Sequence, residues 1–483
     1  MDVSAKRILT GGVARVDITP PIGFRLQGIM RRIEPSVSVH MPLYATGIVL
    51  SDEQKKIVVF DCDLIGMDIP LANEIRQKIA NRLDLDIGNV TVACTHTHNS
   101  PATNRVALGG PHDILPKVGE VEALDSYIRT LVQKLVGAAV EADLSRIPVR
   151  FGSATGSADV NINREEMTDQ GKVVVGRNPK GVSDSSVDVL RIDDLSGNPL
   201  AVLCSFAAHP VVMGINSYMI GPDYPGFVRK RVEQIMGTTC MFLTGAAGNQ
   251  ATIEFLQDDW EEVDRIGTII GCEVIKVAMG IETRPHHVIR EAQNSMASLA
   301  LYRKEYIDAP SHNIFDVAST FVTVPLQTLP TIDEARLQFK KFEALLSDTE
   351  SLGKTGNDLV HAHMMFRWSK GVMEKVSTGI TQPELNFQVV GYRLDDFVLI
   401  SMPGEPFAEI GIGVKQNSKA KTTMFSGYGN GVLAYWPTAD TVVKGGMAVE
   451  AAVKTYDIPS PPTFKTVDII VSEISLMLQK LGL

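Results

Sequence analysis

The sequence is poor in cysteine and in aromatic residues. Only five cysteines and 6% aromatic residues occur among 483 positions, and no two cysteines have C-x-x-C spacing. This pattern excludes a disulfide framework and a zinc knuckle, and it is typical of small buried side chains in a reducing compartment. The formal net charge is −10, and there is no long run of charges of one sign. A nucleic acid is therefore not the expected partner.

Long apolar segments are also missing. No uncharged stretch approaches the length of a membrane span, and the N-terminus MDVSAKRILTGGVARVDITPP has no apolar core followed by a cleavage site. We find no Lys-rich amphipathic helix of the kind that lies on a membrane. The sequence therefore predicts a cytoplasmic protein without stable membrane association, and it leaves the oligomeric state open.

What the sequence does contain is the composition of a globular protein, with 44% hydrophobic and 21% charged residues. Its first half alternates strand-like segments, such as 90–94, with helix-like segments, such as 121–141. A less regular region is predicted from about 284 to 330, followed by two helices. We expect one catalytic domain over 1–483, in which 284–380 is a more helical inserted part. The predicted fold class is α/β, with mixed central β-sheets flanked by helices.

Two histidines follow the apolar strand that begins at Val90. If this strand continued to His98, the alternation of side chains would place His96 and His98 on one face. Such a pair suits a metal ion, or a metal ligand beside a catalytic group. The competing interpretation is a polar loop after a strand, because short motifs such as H-x-H often occur without a function.

Further candidate ligands follow other predicted strands. His209 comes after 200-LAVLCSFAA-208, Glu405 after 397-FVLISMPG-404, and Tyr435 lies just beyond a fourth strand. Strand ends in α/β proteins commonly converge on a crevice where ligands bind. Two imidazoles, a carboxylate and a phenol oxygen are a plausible shell for Zn²⁺, although Mn²⁺ or Fe²⁺ would accept the same ligands. Each residue taken alone also has an ordinary structural interpretation.

Eight motifs then carry a resemblance to a known family. They occur in the order 12-GVARVDITPP-21, 95-THTHNSPA-102, 162-INRE-165, 205-SFAAHP-210, 221-GPDYPG-226, 242-FLTGAAGN-249, 401-SMPGEPF-407 and 434-AYWPT-438. The chain resembles the catalytic N-terminal domain of the neutral/alkaline non-lysosomal ceramidases, since chance would not preserve the order of eight motifs. The resemblance implies an α/β fold and a zinc-dependent hydrolase.

The resemblance also implies roles for individual residues. A single Zn²⁺ would be held by His96, His209, Glu405 and Tyr435. An activated water would cleave the C–N bond of an N-acyl amide, with His98 taking the proton of the water and returning it to the leaving nitrogen. Arg164 and the hydroxyl of Tyr435 would stabilise the oxyanion, and a purely catalytic role is the alternative to metal ligation for Tyr435.

The sequence departs from the family after THTH, where it reads Asn99-Ser100-Pro101-Ala102 instead of Ser-Gly-Pro-Gly. It also ends soon after Tyr435, so we expect the C-terminal β-sandwich of true ceramidases to be absent. The prediction is a shorter bacterial relative. For such a relative, a small polar amide is as good a candidate substrate as a lipid, and a cyclic amide or an ester stays open.

The loop after THTH is predicted to form a wall of the pocket. It is rich in Gly and Pro over 99–120, and Asn99, Asn104 and His112 are its candidate contacts to a polar substrate. An ordinary surface loop is the competing interpretation.

Two other functions compete with the amidase. A two-metal phosphoesterase would use Asp61 and Asp63 of 57-IVVFDCDLIG-66 together with the histidines. A catalytically silent binding protein of the same fold is the other alternative. The presence of all four candidate ligands and of Arg164 argues against the silent protein.

Overall fold

The computed structural model describes residues 8–103, 119–291, 299–308 and 312–483. Its strands, in chain order, are β1 (Thr10–Asp17), β2 (Ser38–Val39), β3 (Tyr44–Ser51), β4 (Lys56–Cys62), β5 (Val90–Cys94), β6 (Ile147–Ser157), β7 (Asn161–Met167), β8 (Val173–Asn178), β9 (Ser186–Asp194), β10 (Pro199–Phe206), β11 (Met219–Ile220), β12 (Thr239–Thr244), β13 (Gln250–Thr252), β14 (His286–Arg290), β15 (Tyr302–Tyr306), β16 (Phe315–Pro325), β17 (Glu384–Leu394), β18 (Phe397–Ser401), β19 (Glu405–Pro406), β20 (Thr422–Ser426) and β21 (Tyr435–Trp436).

The helices lie between these strands along the chain, except for the last three, which follow the last strand. They are α1 (Ile69–Leu83), α2 (Glu120–Leu144), α3 (Asp223–Met236), α4 (Trp260–Gly280), α5 (Ile332–Ser351), α6 (Asn357–Ser377), α7 (Ala408–Asn417), α8 (Ala439–Lys444), α9 (Met447–Thr455) and α10 (Thr466–Lys480). None of the helices in the described ranges is both long enough and apolar enough to cross a membrane.

Two large sheets form the centre of the molecule. One has eight strands in the order β12-β10-β9-β6-β1-β3-β4-β5, and the other has four in the order β16-β17-β18-β20. Both are mixed: β4 and β5 are parallel, as are β10 and β12 and also β18 and β20, whereas the remaining pairs in the two sheets are antiparallel. The parallel pairs matter for the site, because their carboxyl ends carry the candidate ligands.

The period of two along the strands explains the layers. In β10, Leu203 belongs to a core that includes Tyr392 and Leu399 of the four-stranded sheet, so the two sheets face each other there. Val202 and Cys204, on the opposite face of the same strand, pack against helices α3 and α4. The same alternation in a strand buried on both faces therefore serves two separate cores.

The predicted fold class is confirmed, with mixed sheets between helices. The strand at 90–94 is present, and the helix predicted at 121–141 is α2, which begins one residue earlier, at Glu120, and ends three residues later, at Leu144. The prediction of a less regular region over 284–330 is wrong, because β16 crosses it and pairs along its full length with β17. That strand is half exposed and does not alternate cleanly, so its pairing partner rather than its pattern defines it. The division into domains stays a prediction.

Candidate metal and catalytic site

The carboxyl ends of four strands meet at one edge of the facing sheets. Backbone hydrogen bonds join them: Gly245 N donates to Phe206 O at 2.9 Å, and Gly427 N donates to Thr244 O at 3.0 Å. Cys94 N, at the end of β5, donates to Tyr428 O at 3.1 Å. The loops that leave these strand ends are therefore fixed against one another, and the candidate ligands lie in them.

His96 and His98 come together by a route that differs from the predicted one. Strand β5 ends at Cys94, and His96 has a φ of 68°, in the left-handed region that residues other than glycine seldom adopt. The strand does not continue to His98, so the condition for a shared strand face is not met. The turn nevertheless places the two Nε2 atoms 3.4 Å apart, and His96 N is held by Leu64 O at 2.9 Å. The pair depends on a strained turn fixed by its neighbours.

Short backbone bridges place the other candidate ligands. His209 N donates to Gln250 O at 3.1 Å, just beyond the end of β10. Glu405 and Tyr435 are direct partners in the two-residue parallel pair of β19 and β21. All three residues are buried, with at most 7% of the residue surface exposed.

Three acceptor atoms converge in the centre of this site. His96 Nε2 lies 3.1 Å from His209 Nε2, and Glu405 Oε2 lies 3.1 Å from His209 Nε2 and 3.4 Å from His96 Nε2. Ligands at 2.0–2.1 Å from a tetrahedral zinc ion are separated by about 3.3 Å. The spacing therefore fits one metal ion with these three atoms in its shell.

The Nδ1 atoms of His96 and His209 also support a metal ion bound through the Nε2 atoms. His96 Nδ1 contacts the carbonyl oxygen of Ile65, and His209 Nδ1 lies 2.6 Å from Ala247 O. A ring N–H at Nδ1 that donates to a carbonyl leaves Nε2 with a free lone pair, as in histidines that bind metals. Two such lone pairs and a carboxylate oxygen would repel one another without a cation, so the donor set fits a metal ion. The histidine cluster that could hold an ion comprises His96, His98 and His209.

Arg164 adds the positive side chain of the site. It is buried on β7, and its Nη2 lies 3.1 Å from the hydroxyl of Tyr435, 3.2 Å from His209 Nε2 and 2.8 Å from Gly248 O. Burial, together with the charge of Arg164, lowers the pKa of His209 to about 3. Burial raises the pKa of Tyr435 well above its usual value. His209 is thus neutral and Tyr435 protonated in the absence of a bound cation.

Residues 10–250 match the family described as neutral/alkaline non-lysosomal ceramidase, N-terminal. The chain belongs to this family. The matched segment includes His96, His98, Arg164 and His209, whereas Glu405 and Tyr435 lie outside it.

Individual members of the family share modest sequence identity with this chain. The chain is 28% identical to neutral ceramidase B of Dictyostelium discoideum over 235 residues, which are 45% of this chain and 29% of that protein. It is 32% identical to neutral ceramidase A of the same organism over 151 residues, which are 29% of this chain and 19% of that protein. The matches thus span less than a third of the curated relatives.

Two solved structures share the fold over nearly the whole chain. The neutral ceramidase from Pseudomonas aeruginosa superposes with a TM-score of 0.67 at 17% identity, over 99% of this chain and 75% of that one. A structure described as ceramidase complexed with C2 has a TM-score of 0.68 at 16% identity, with the same coverage. At these identities, the likeness establishes the fold.

Sequence reasoning missed two tyrosines that enclose the ceramidase-like site. The hydroxyl of Tyr456 donates to Glu405 Oε1, and the hydroxyl of Tyr428 lies 3.5 Å from Glu405 Oε2. The ring of Tyr428 also stacks on His96 at 4.1 Å between centroids. Tyr456 ends helix α9 and has no motif around it, so only the fold brings it to the carboxylate. Tyr428 lies in the glycine-rich 427-GYGNG-431, which was a local signal for a fixed loop.

The carboxylates of the phosphoesterase alternative lie in a different cluster. Arg229 Nη1 donates to Asp61 Oδ2 at 3.1 Å, and Arg229 Nη2 pairs with Asp63. Asp61 also accepts from the backbone of Phe242 at 2.9 Å, and Asp63 from that of Tyr44 at 2.9 Å. Neither aspartate is part of the cluster that could hold an ion. Their use as metal ligands is therefore contradicted, because an arginine and backbone amides already satisfy them.

A cavity of about 330 Å³ opens beside the site. Its walls are mostly aliphatic and aromatic, and they include Leu26, Gln27, Ile29, Met30, Ile65, Val175, Val211, Ile215, Phe255, Leu256, Met447 and Thr455 as well as His96, His98, Arg164, Glu405, Tyr435 and Tyr456. The predicted contact Asn99 is instead buried against Arg32, whose Nη1 donates to Asn99 Oδ1 at 2.7 Å. Asn104 and His112 lie outside the described residues.

Proposed function

We propose that this protein is a zinc-dependent amidohydrolase that cleaves the C–N bond of an N-acyl substrate. One observation carries the proposal: His96 Nε2, His209 Nε2 and Glu405 Oε2 converge within 3.1–3.4 Å, while the Nδ1 atom of each imidazole faces a backbone carbonyl oxygen. Only a cation makes such a buried arrangement favourable. Its place beside a cavity of ligand size supports a catalytic use.

The metal would be held by His96, His209 and Glu405, with Tyr435 as the fourth protein ligand. Nitrogen and oxygen ligands at this spacing favour Zn²⁺. When bound, the ion would supply a Lewis acid for the carbonyl group and lower the pKa of a water molecule to about 7. The hydroxyl of Tyr435 already meets Arg164, so in its neutral form it is also a donor for developing negative charge.

His98 is assigned the proton transfer. Its Nε2 faces the site 3.4 Å from His96 Nε2, yet its Nδ1 has no hydrogen-bond partner among the described residues. His98 thus lacks the carbonyl contact that orients the two histidine ligands, which fits a group that gains and loses a proton. It would accept a proton from water and donate one to the leaving nitrogen, so that amide and water become acid and amine.

Arg164 would bind the carbonyl oxygen as negative charge develops there. Its guanidinium is fixed by two hydrogen bonds to Gly248 O, at 3.1 and 2.8 Å, so it is oriented before the substrate arrives. Donors fixed in this way stabilise a transition state without a cost of reorganisation. Tyr456 is a positioning residue, because its hydroxyl holds the outer oxygen of Glu405 and leaves Oε2 facing the histidines.

The cavity defines one half of the substrate. Side chains such as Leu26, Ile215, Val211 and Phe255 line it, and apolar walls of this kind suit a hydrocarbon acyl arm. The relatives of known structure are ceramidases, so a lipid amide is one member of the proposed class. A shorter amide with a more polar amine arm is another member of this class.

The cytoplasmic location of the protein stays a prediction.

The metal assignment is tested by elemental mass spectrometry of the purified protein. We expect about one zinc ion per chain in the wild type, and loss of that ion in His96→Ala and in Glu405→Gln. The control is His286→Ala, which removes a histidine of strand β14 outside the site. Retention of zinc in both site variants would contradict the assignment.

The reaction is tested by the release of amines from linear N-acyl amides, followed by mass spectrometry. We expect zinc-dependent hydrolysis that Glu405→Gln abolishes and His286→Ala leaves intact. A protein that binds one zinc ion and cleaves none of these amides would favour the catalytically silent alternative.

A further inference from the structure

Among the apolar residues that line the cavity, Gln27 is an exception with unused hydrogen-bonding groups. It is 2% exposed, and in the described part of the chain neither Oε1 nor Nε2 of its side chain has a partner. A carboxamide offers two donor hydrogens and one acceptor oxygen, and proteins rarely bury such a group unpaired. A side chain of this kind in a cavity wall therefore calls for a partner that the chain itself does not supply.

The backbone of Gln27 is held rigidly in this place. Its N–H donates to Ser100 O at 3.1 Å, and its carbonyl accepts from Arg32 Nη2 at 3.1 Å. Arg32 is fully buried and also donates to the carbonyl of His98. The segment with Gln27 is thus tied to the loop that carries His98, and its backbone is fixed before any ligand binds.

The next residue shows on which side of the site Gln27 lies. Gly28 has a φ of +94°, and a Cβ added there would lie 2.4 Å from His98 Nδ1. Only glycine allows the backbone to approach the imidazole so closely. Gln27 therefore stands on the His98 side. If His98 donates its proton to the leaving nitrogen, the amine arm of the substrate must lie on that side too.

We propose that Gln27 determines specificity by binding a hydroxyl or amide group on the amine arm of the substrate. This inference rests on the proposed function for the identity of that arm. The acyl arm would occupy the apolar walls, and a polar group a few bonds from the scissile nitrogen would pair with the carboxamide. Substrates with a purely hydrocarbon amine would leave that carboxamide buried and unpaired, which is how a polar site rejects an analogue.

The test uses two sulfonamides. They have a sulfonyl group in place of the carbonyl group of an amide, so the proposed amide hydrolysis cannot consume them. N-(2-hydroxyethyl)octanesulfonamide and N-propyloctanesulfonamide have nearly the same size and differ in one hydroxyl group. Their dissociation constants are measured by calorimetry on the wild-type protein, on Gln27→Met, and on the control Met30→Leu, which changes an apolar wall residue. Thermal unfolding checks that each variant is folded, and Gln27→Glu serves as a second variant that keeps the acceptor and loses the donors.

We expect the wild type to bind the hydroxyl ligand on the order of 10-fold more tightly, the effect of one or two neutral hydrogen bonds. Gln27→Met should remove this preference, whereas Met30→Leu should keep it. An equal preference in wild type and Gln27→Met, no preference in the wild type, or no binding of the hydroxyl ligand would each overturn the assignment.

Hydrolysis of the corresponding pair of octanamides is followed separately. Cleavage of both amides without any effect of Gln27→Met would overturn the role of Gln27 and leave the proposed function standing. Selective binding of the hydroxyl sulfonamide without cleavage of either amide would do the reverse.

Discussion

The fold contains two buried polar clusters that differ in how their charges are balanced. In the Asp61 and Asp63 cluster, two carboxylates face one guanidinium and several backbone N–H groups. In the His96, His209 and Glu405 cluster, three acceptor atoms face one another. Both clusters are almost fully buried. The residue types alone suggest a metal site in either.

The difference shows what distinguishes a candidate metal site from a cluster whose charges are balanced within the fold. Arg229 supplies the cation of the aspartate cluster from within the fold. Burial by itself would lower the pKa of Arg229, but the charges of Asp63 and Asp61 outweigh it and raise that pKa. The histidine cluster has Arg164 only at its edge, so its centre still lacks a positive charge. A converging set of acceptors without an internal cation is the feature that distinguishes the two.

The largest effect is expected from removing the positive charge of the Asp61 and Asp63 cluster. Arg229→Met would leave two buried carboxylates without a counter-charge and should lower the free energy of unfolding by about 3–5 kcal/mol. The zinc content of the folded fraction should not change. Urea unfolding and elemental analysis measure the two quantities. The control is Lys230→Met, one residue further along the same helix and exposed, for which a change within about 0.5 kcal/mol is expected. A loss of zinc in Arg229→Met would show that the clusters depend on each other.

A smaller effect, on catalysis, is expected at the edge of the His96, His209 and Glu405 cluster. Arg164→Met removes a donor that the proposed reaction uses in the transition state, so kcat should fall by about 100-fold or more while zinc stays bound. Steady-state kinetics and metal content decide the outcome. Arg177→Met, on the neighbouring strand β8 and exposed, is the matched control and should keep its kcat. Unchanged kcat in Arg164→Met would remove this residue from the mechanism.

The smallest effect concerns Glu165. Its neighbours balance its negative charge only in part, which is intermediate between the two clusters. Burial raises its pKa to about 7, because the hydroxyl of Thr441 at 2.9 Å and the charge of Arg164 compensate only in part. The folded state therefore holds a proton that the unfolded state has released, and stability falls as the pH rises from about 4.5 through 7.

Glu165→Gln should lack this loss. Between pH 5 and pH 8, we expect its free energy of unfolding to gain about 1 kcal/mol relative to that of the wild type. This value is reduced because the carboxylate is partly exposed. Urea unfolding at the two pH values measures the difference. The exposed Glu384→Gln is the control and should show no such gain. An equal pH dependence in the wild type and Glu165→Gln would mean that the carboxylate is better compensated than its contacts indicate.

Sequence reasoning predicted His96, His209 and Glu405 as candidate ligands and missed much of what holds them in place. His96, His209 and Glu405 each follow a strand that reads clearly as apolar, so their position at strand ends was predictable. Tyr456 and Gln27 follow no such strand. Tyr456 reaches Glu405 from the end of a helix, and Gln27 reaches the cavity through a backbone contact with Ser100. Contacts between segments far apart in sequence carry no local pattern that could predict them.

The sequence by itself determined most of the strands and helices, β16 excepted, and the residue types available at the strand ends, because hydrophobic periodicity and residue chemistry are local properties. The tertiary structure decided which polar groups became partners. It gave Asp61 and Asp63 an arginine from helix α3, it held His96 in a left-handed turn, and it left three acceptors facing one another. The physical reason is that charge balance in a buried site depends on distances between segments, and only the packed chain defines those distances.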